Sequence, residues 1–190
     1  MGKRIAILAS GAGSNAERII ECFQENGRAD VVLLGSNKVD ALALNKAKGL
    51  GVQTFVFNKD TLTSEDGLLN KLLSEKVDLI VLAGFLLKVP EIIIQAFPNR
   101  IINVHPALLP KFGGKGMYGR HVHQAVIEAQ EKESGISIHY VNEHYDEGAI
   151  IFQAKCNVDK SDNAETLAKK IQSLEHKHFA ATIDQLIQTL

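Results

Sequence analysis

Cysteine is scarce in this sequence. The chain of 190 residues has two cysteines, Cys22 and Cys156, and their spacing matches no metal-binding motif. Two thiols do not make a disulfide framework. We therefore expect a reduced, intracellular protein without a metal site.

Runs of one charge and long apolar runs are also missing. The formal net charge is -1 at pH 7, and no basic run stands out. This argues against nucleic acid or a membrane surface as a partner, although a small anionic ligand needs only local donors. The N-terminal apolar run is too short to span a membrane, and no cleavage signature follows it. We expect a cytoplasmic protein, a monomer or homodimer, with small-molecule partners.

Strand-like and helix-like segments alternate along the chain. Continuous apolar runs such as "RIAILA" and "DLIVLAG" are typical of strands covered on both faces, and helical patterns separate them. The expected fold class is α/β: an open, mostly parallel, twisted, Rossmann-like sheet with helices on both faces. A connection as short as "NEHYDEG" predicts an antiparallel hairpin at the C-terminal edge. We also expect a helix over residues 64–76 with Ser64 at its N-terminus, and a long helix over residues 163–188. No linker or repeat is visible, which predicts one domain, 1–190.

The first glycine-rich stretch, "SGAGSN", directly follows the first predicted strand. Its glycine N–H groups and the start of the next helix form an anion cradle, to which Ser14 and Asn15 add side-chain donors. A tight turn with a good helix cap is the simpler alternative. The spacing also satisfies G-x-G-x-x-A, but the second strand ends in "LLGSNK" without the acid that a dinucleotide site needs. Phosphate binding is the favoured interpretation.

A second motif, "INVHP", ends a buried strand. Because side chains alternate along a strand, Asn103 and His105 are expected on one face. Both can donate to a developing oxyanion, and histidine can move a proton, which suits acyl transfer. A buried structural histidine is the alternative. Asp146, in the hairpin connection, is either an ordinary turn residue or the carboxylate that orients His105.

Two further loops are candidates for function. "GFLLKVP" offers backbone groups and apolar surface suited to a flat heteroaromatic ring, or it simply packs the start of a helix. "PALLPKFGGKGMYG" is either a mobile lid or a long surface loop. The histidine pairs in the predicted helices do not favour metal, since residues two apart do not share a helix face; these are His121 with His123 and His176 with His178.

Taken together, "RIAILASGAGSN", "INVHPALLPKFGGKG" and "YDEGAIIFQ" make the chain resemble the phosphoribosylglycinamide formyltransferases over nearly its whole length. The resemblance implies the formyltransferase fold and formyl transfer from 10-formyltetrahydrofolate to the amine of glycinamide ribonucleotide in purine synthesis, without a metal. It implies these site residues: catalytic Asn103, His105 and Asp146; substrate-binding Gly13, Ser14, Asn15 and Glu175; and folate-binding Leu86, Leu87, Lys88, Val89 and Asn103.

The chain departs from the family pattern at the positions expected to contact the glutamate tail of the folate. Leu87 stands where members often have an arginine, and "TLTSEDGLL" lacks a second one, so Lys88 or Lys59 is expected to substitute. Rival functions are a formyltetrahydrofolate deformylase, a methionyl-tRNA formyltransferase, a nicotinamide dehydrogenase and a non-catalytic nucleotide-binding module. The first two usually carry an extra domain, and the dehydrogenase lacks its acidic ribose reader. A binding module leaves Asn103 and His105 unexplained.

Overall fold

The computed structural model describes residues 2–190, so Met1, the first residue of the predicted domain, lies outside them. Within residues 2–190 there are seven strands: β1 Lys3–Leu8, β2 Ala29–Ser36, β3 Gln53–Val56, β4 Leu79–Leu82, β5 Ile101–His105, β6 Glu133–Tyr140 and β7 Ile150–Asn157. The described part of the chain also contains seven α-helices: α1 Ser14–Asn26, α2 Leu42–Gly49, α3 Lys59–Thr63, α4 Asn70–Ser74, α5 Glu91–Ala96, α6 Arg120–Glu128 and α7 Ala164–Ile187.

The strands form one sheet in the order β3-β2-β1-β4-β5-β6-β7. The pairs β1–β2, β1–β4 and β2–β3 are parallel, whereas β6 and β7 are antiparallel. The expected mostly parallel sheet, its C-terminal hairpin and the long last helix are therefore confirmed.

The chain divides into two compact units. One contains the described residues up to Ile102 together with Ala180–Leu190, and the other contains Asn103–Phe179. A single domain over the whole chain stays a prediction.

The first unit is built on the parallel strands β1 to β4. Their central side chains, such as Ile5, Leu33 and Leu79, are completely buried, as continuous apolar runs predict. Backbone hydrogen bonds continue beyond the strand ends: Ala9 N–H donates to the Gly35 carbonyl at 3.0 Å, and Ala83 N–H donates to the Leu8 carbonyl at 2.9 Å. The loops after β1, β2 and β4 therefore start from one edge, where ligands bind in open α/β sheets.

The expected single helix over residues 64–76 is wrong. The helical segment begins earlier, at α3, where the Asn58 side chain accepts from Thr61 N–H at 2.9 Å as an N-cap, while Ser64 makes no side-chain cap bond. The backbone then kinks at Gly67 before α4. A Cβ on Gly67 would lie 1.8 Å from the Thr61 carbonyl oxygen, so only glycine allows this close approach.

The second unit carries the hairpin β6–β7 and the helix α6. Strand β6 is buried over six of its eight residues, whereas β7 alternates between half-buried and exposed positions, as expected for a sheet edge. No helix within residues 2–190 is long and apolar enough to cross a membrane.

Candidate active site

Polar side chains gather in the second unit, where β5 ends. His105 is 3% exposed and the neighbouring Asn103 is half-buried. The Asn103 side-chain amide donates to His139 Nε2 at 3.1 Å. The Asp146 carboxylate lies 3.5 Å from both His105 Nδ1 and His139 Nε2. The structure thus brings Asn103, His105 and Asp146 together, joined by a fourth residue, His139.

Asp146 adopts a backbone conformation that few residues other than glycine adopt. Its φ is +58°, in the left-handed region, where aspartate and asparagine are tolerated better than most side chains. The Gly114 N–H donates to Asp146 Oδ2 at 3.0 Å. A neighbouring glycine, Gly113, packs against the same side chain, because a Cβ there would lie 3.2 Å from Asp146 Cβ. The hairpin connection is therefore shaped so that the carboxylate faces the two histidines.

The hydrogen positions on the two histidines follow from their carbonyl partners. His105 Nε2 lies 2.8 Å from the Phe112 carbonyl oxygen, and His139 Nδ1 lies 2.8 Å from the Tyr140 carbonyl oxygen. A carbonyl oxygen only accepts, so each of these nitrogens carries a hydrogen. In the neutral form of His139 the lone pair on Nε2 accepts from Asn103, whereas in the charged form the hydrogen on Nε2 faces Asp146. The second hydrogen of the Asn103 amide is not used in this contact with His139.

The charges of the site oppose the effects of burial. Burial lowers the pKa of His105 below its ordinary value, while Asp146 and the Phe112 carbonyl counteract part of that change. Burial alone raises the pKa of Asp146, but His139, His105 and the Gly114 N–H together hold that pKa below its ordinary value. Asp146 is therefore a carboxylate at neutral pH, facing a histidine that is charged less readily than an exposed one.

The glycine-rich loop after β5 is bonded to both His105 and Asp146 through Phe112 and Gly114. Its first residues are held by Ser137, which donates to the Ala107 carbonyl at 2.7 Å and accepts from Leu109 N–H at 2.9 Å. Its role as a mobile lid stays a prediction.

The "SGAGSN" loop in the first unit has the geometry of an anion cradle. Gly13 is the N-cap of α1, with φ +70°, and a Cβ there would lie 2.6 Å from Ala43 Cα and Cβ, so a larger residue does not fit. Ser14 and Asn15 follow in the first turn and are half-buried. The positive end of the α1 dipole faces this turn.

The "GFLLKVP" loop of the same unit exposes both apolar and charged side chains. Leu86 and Leu87 are 44% and 37% exposed, Lys88 is exposed, and Val89 is buried. The loop is anchored by Phe85, whose ring packs edge-on against Phe57 at a centroid distance of 5.9 Å.

The remaining predicted residues lie on helices of the second unit. Glu175 is half-buried on α7. On α6, His121 is exposed and His123 is buried, so this pair does not share a face, as expected. No group of three or more His, Cys, Asp or Glu side chains in the described part of the chain has a geometry suited to a metal ion.

Comparison with protein families decides the family. The profile described as "Formyl transferase" matches residues 3–183. The chain belongs to the formyl transferase family.

Relatives within the formyl transferase family match almost all of the chain. A "Phosphoribosylglycinamide formyltransferase, chloroplastic" from Arabidopsis thaliana is 42% identical over 98% of this chain and 66% of its own length. A "Phosphoribosylglycinamide formyltransferase" from Bacillus subtilis is 35% identical over 97% of this chain and 95% of its own length. The crystal structure of a phosphoribosylglycinamide formyltransferase from Bacillus halodurans superposes with a TM-score of 0.88 and 36% identity, covering 97% of this chain and 95% of that one. The resemblance expected from the motifs is confirmed, although the chain spans slightly less than two thirds of the Arabidopsis protein.

Sequence reasoning missed one residue of this candidate site, His139. It lies in the apolar stretch "GISIHYV" and is 2% exposed. A polar residue in a buried strand is a signal, but nothing local separates a structural histidine from one that contacts Asn103. The separation of 36 residues between the two makes the contact invisible in the sequence.

Proposed function

We propose that this formyl transferase moves the formyl group of 10-formyltetrahydrofolate to the amine of 5-phosphoribosylglycinamide, a step of purine synthesis. The observation that carries the proposal is the cluster of Asn103, His105, His139 and Asp146 at the end of β5. The folate supplies the one-carbon unit, and the ribonucleotide amine accepts it. The residues of the chain have to stabilise negative charge on the formyl oxygen and to move one proton.

Asn103 is the better-placed of the two proposed oxyanion donors. One hydrogen of its amide is held by His139 Nε2, which fixes the plane of the amide and aims the second hydrogen. A preorganised donor of this kind costs no reorientation as charge develops, and losing one typically slows turnover by about 100- to 1,000-fold. We therefore assign Asn103 to the formyl oxygen and His139 to positioning Asn103.

His105 and Asp146 act as a charge pair in this proposal. In its protonated form, reached by taking up a proton from solvent, His105 donates to the negative formyl oxygen, and the Asp146 carboxylate at 3.5 Å stabilises that imidazolium. Burial opposes that charge in the resting protein, so it is favoured only when the oxyanion forms. Asp146 also assists transfer of the proton from the attacking amine to the leaving nitrogen, through a bound water.

The two loops of the first unit are assigned to the two substrates. Gly13, Ser14 and Asn15 at the start of α1 suit the phosphate, and Leu86, Leu87, Lys88 and Val89 suit the flat ring of the folate. Glu175 is assigned to the glycinamide end of the substrate. We further propose that the protein is cytoplasmic, that it works without a metal, and that it is a monomer or homodimer.

An assay of folate consumption tests the function directly. A 10-formyl folate is incubated with the protein, with and without glycinamide ribonucleotide, and the absorbance of the deformylated folate is followed. Consumption that requires the ribonucleotide and yields its formyl amide supports the proposal. Consumption without the ribonucleotide would indicate a deformylase, and no consumption in either reaction would contradict formyl transfer from this donor.

A further inference from the structure

Ser10, the first residue of "SGAGSN", makes contacts different from those of the phosphate-cradle residues after it. It follows β1 and is 2% exposed. Its N–H donates to the Gly84 carbonyl at 3.0 Å, and its hydroxyl accepts from Leu86 N–H at 3.0 Å. Ser10 therefore holds both ends of the three-residue turn that begins the "GFLLKVP" loop.

The direction of the Ser10 hydroxyl is fixed by a third residue. Ser10 Oγ lies 2.6 Å from Asn37 Oδ1, at the end of β2. Because an amide oxygen only accepts, the hydroxyl hydrogen points to Asn37 and a lone pair faces the Leu86 N–H. Side chain and backbone of Ser10 thus connect the loops that follow β1, β2 and β4.

These contacts matter because they fix the exposed turn of a loop whose other anchor is the packing of Phe85 against Phe57. Gly84 has φ +74°, which lets the chain turn directly after β4, and Leu86 and Leu87 present their side chains largely to solvent. Fixing the backbone of each such residue costs conformational free energy, which a ligand must otherwise offset when it binds. A loop already held at Leu86 binds a ring with less of that cost.

We infer that Ser10 is a positioning residue for the folate loop, with its hydroxyl aligned by Asn37, and not a ligand of the substrate phosphate. This inference rests on the proposed function, which assigns residues 86–89 to the folate. Ser10, although it belongs to the "SGAGSN" motif that suggests phosphate binding, then contributes to the binding of the folate. Both hydrogen-bonding directions of its hydroxyl are already used inside the protein.

The test is separate titration of Ser10→Ala with each substrate by calorimetry. We expect the Kd for 10-formyltetrahydrofolate to rise about tenfold, the upper range for loss of one hydrogen bond. The Kd for glycinamide ribonucleotide should change less than about twofold, as should kcat at saturation. Hydrogen exchange at the Leu86 amide should also become faster, because its acceptor is gone.

Ser36→Ala is the matched control. Ser36 is fully buried at the end of β2, and its hydroxyl accepts from a backbone N–H, that of Lys38, at 3.2 Å. The same chemical change is made close by, without touching Leu86. It should leave both Kd values within about twofold of wild type. Equal weakening of folate binding in Ser36→Ala and Ser10→Ala would overturn the inference, because a general loosening of the sheet end would explain both.

Asn37→Ala gives a second route if Ser10→Ala folds poorly. Asn37 is half-buried, and its removal frees the hydroxyl to rotate, so we expect a smaller folate-specific loss of about threefold. The double variant should bind folate no more weakly than Ser10→Ala, since both changes act through one hydroxyl. If the two substitutions instead weaken folate binding independently, so that their fold-changes in Kd multiply, the inference that Asn37 acts through Ser10 is overturned. Wild type that binds the ribonucleotide but no formyl folate would contradict the proposed function, whereas wild-type folate affinity in Ser10→Ala would remove this inference alone.

Discussion

Replacing Asp146 by asparagine isolates the charge of the proposed catalytic cluster. Asparagine has nearly the same shape, and it tolerates the left-handed backbone of this position, where φ is +58°. Its amide oxygen still accepts from the Gly114 N–H. The variant should therefore fold normally, with a melting temperature within a few degrees of wild type, while the carboxylate beside His105 is lost.

The distance between the charges sets the size of the effect. His105 Nδ1 and Asp146 Oδ2 are 3.5 Å apart, at which two unit charges attract by about 5 kcal/mol at an effective dielectric constant of about 20. We expect kcat to fall by about 100- to 1,000-fold, equivalent to about 2.7–4 kcal/mol of barrier. That loss lies within the available attraction. Because Asp146 opposes the effect of burial on the pKa of His105, its removal lowers that pKa further, and residual activity should shift to more acidic pH.

The measurement is the pH profile of kcat, with thermal unfolding as a check on the fold. Glu147→Gln is the matched control, since it removes the same charge from an exposed side chain one residue further along the chain. The control should keep wild-type turnover. Near-native turnover in Asp146→Asn, or an equal loss in Glu147→Gln, would refute the reasoning that a carboxylate facing His105 is required.

Three further predictions concern His139, His123 and Lys88. His139→Leu removes the acceptor that orients Asn103, and kcat should fall about tenfold or more with little change in KM, measured by steady-state assay. Burial, followed by the charge of His105, lowers the pKa of His123, so stability is lost as pH falls from the ordinary imidazole range through that lowered pKa. His123→Leu should reduce this acid sensitivity in urea unfolding, and His121→Leu, exposed on the same helix, should not. Lys88→Ala should weaken the binding of polyglutamylated folate more than that of monoglutamylated folate in a fluorescence titration. If wild type and variant bind both folates with equal affinity, Lys88 is excluded as a contact of the glutamate tail.

The fold was predictable because its strongest signals are local. Runs such as residues 79–82 are apolar throughout and completely or nearly completely buried, and glycine ends them. The segment after β3 was not predictable in the same way. Its helix start depends on a reciprocal cap between Asn58 and Thr61, and its kink depends on the packing of Gly67 against a carbonyl, which only tertiary placement reveals.

The candidate site was predictable in part for a related reason. Alternation along β5 places Asn103 and His105 on one face, which the sequence pattern indicates directly. The contacts of Ser10 with Asn37 and Leu86 join residues 27 and 76 positions apart, and no local pattern specifies such pairs. Asp146 is predictable only in part. Its sequence context indicates a turn residue, and a catalytic role is suggested only once the structure shows that it faces a histidine.

The resting contacts of His105 place a condition on the proposed chemistry. Nε2 donates to the Phe112 carbonyl, and Nδ1 faces Asp146, so neither nitrogen points a hydrogen at an open position. If Nδ1 turned to the formyl oxygen, the stabilising carboxylate would be lost as the imidazolium formed. Release of Nε2 from Phe112 keeps the Asp146 pair intact and leaves one hydrogen for the oxyanion. Phe112 and Gly114 belong to one glycine-rich loop, so a shift of that loop changes the contacts of both His105 and Asp146. We therefore expect that the position of this loop decides when His105 can act as a donor.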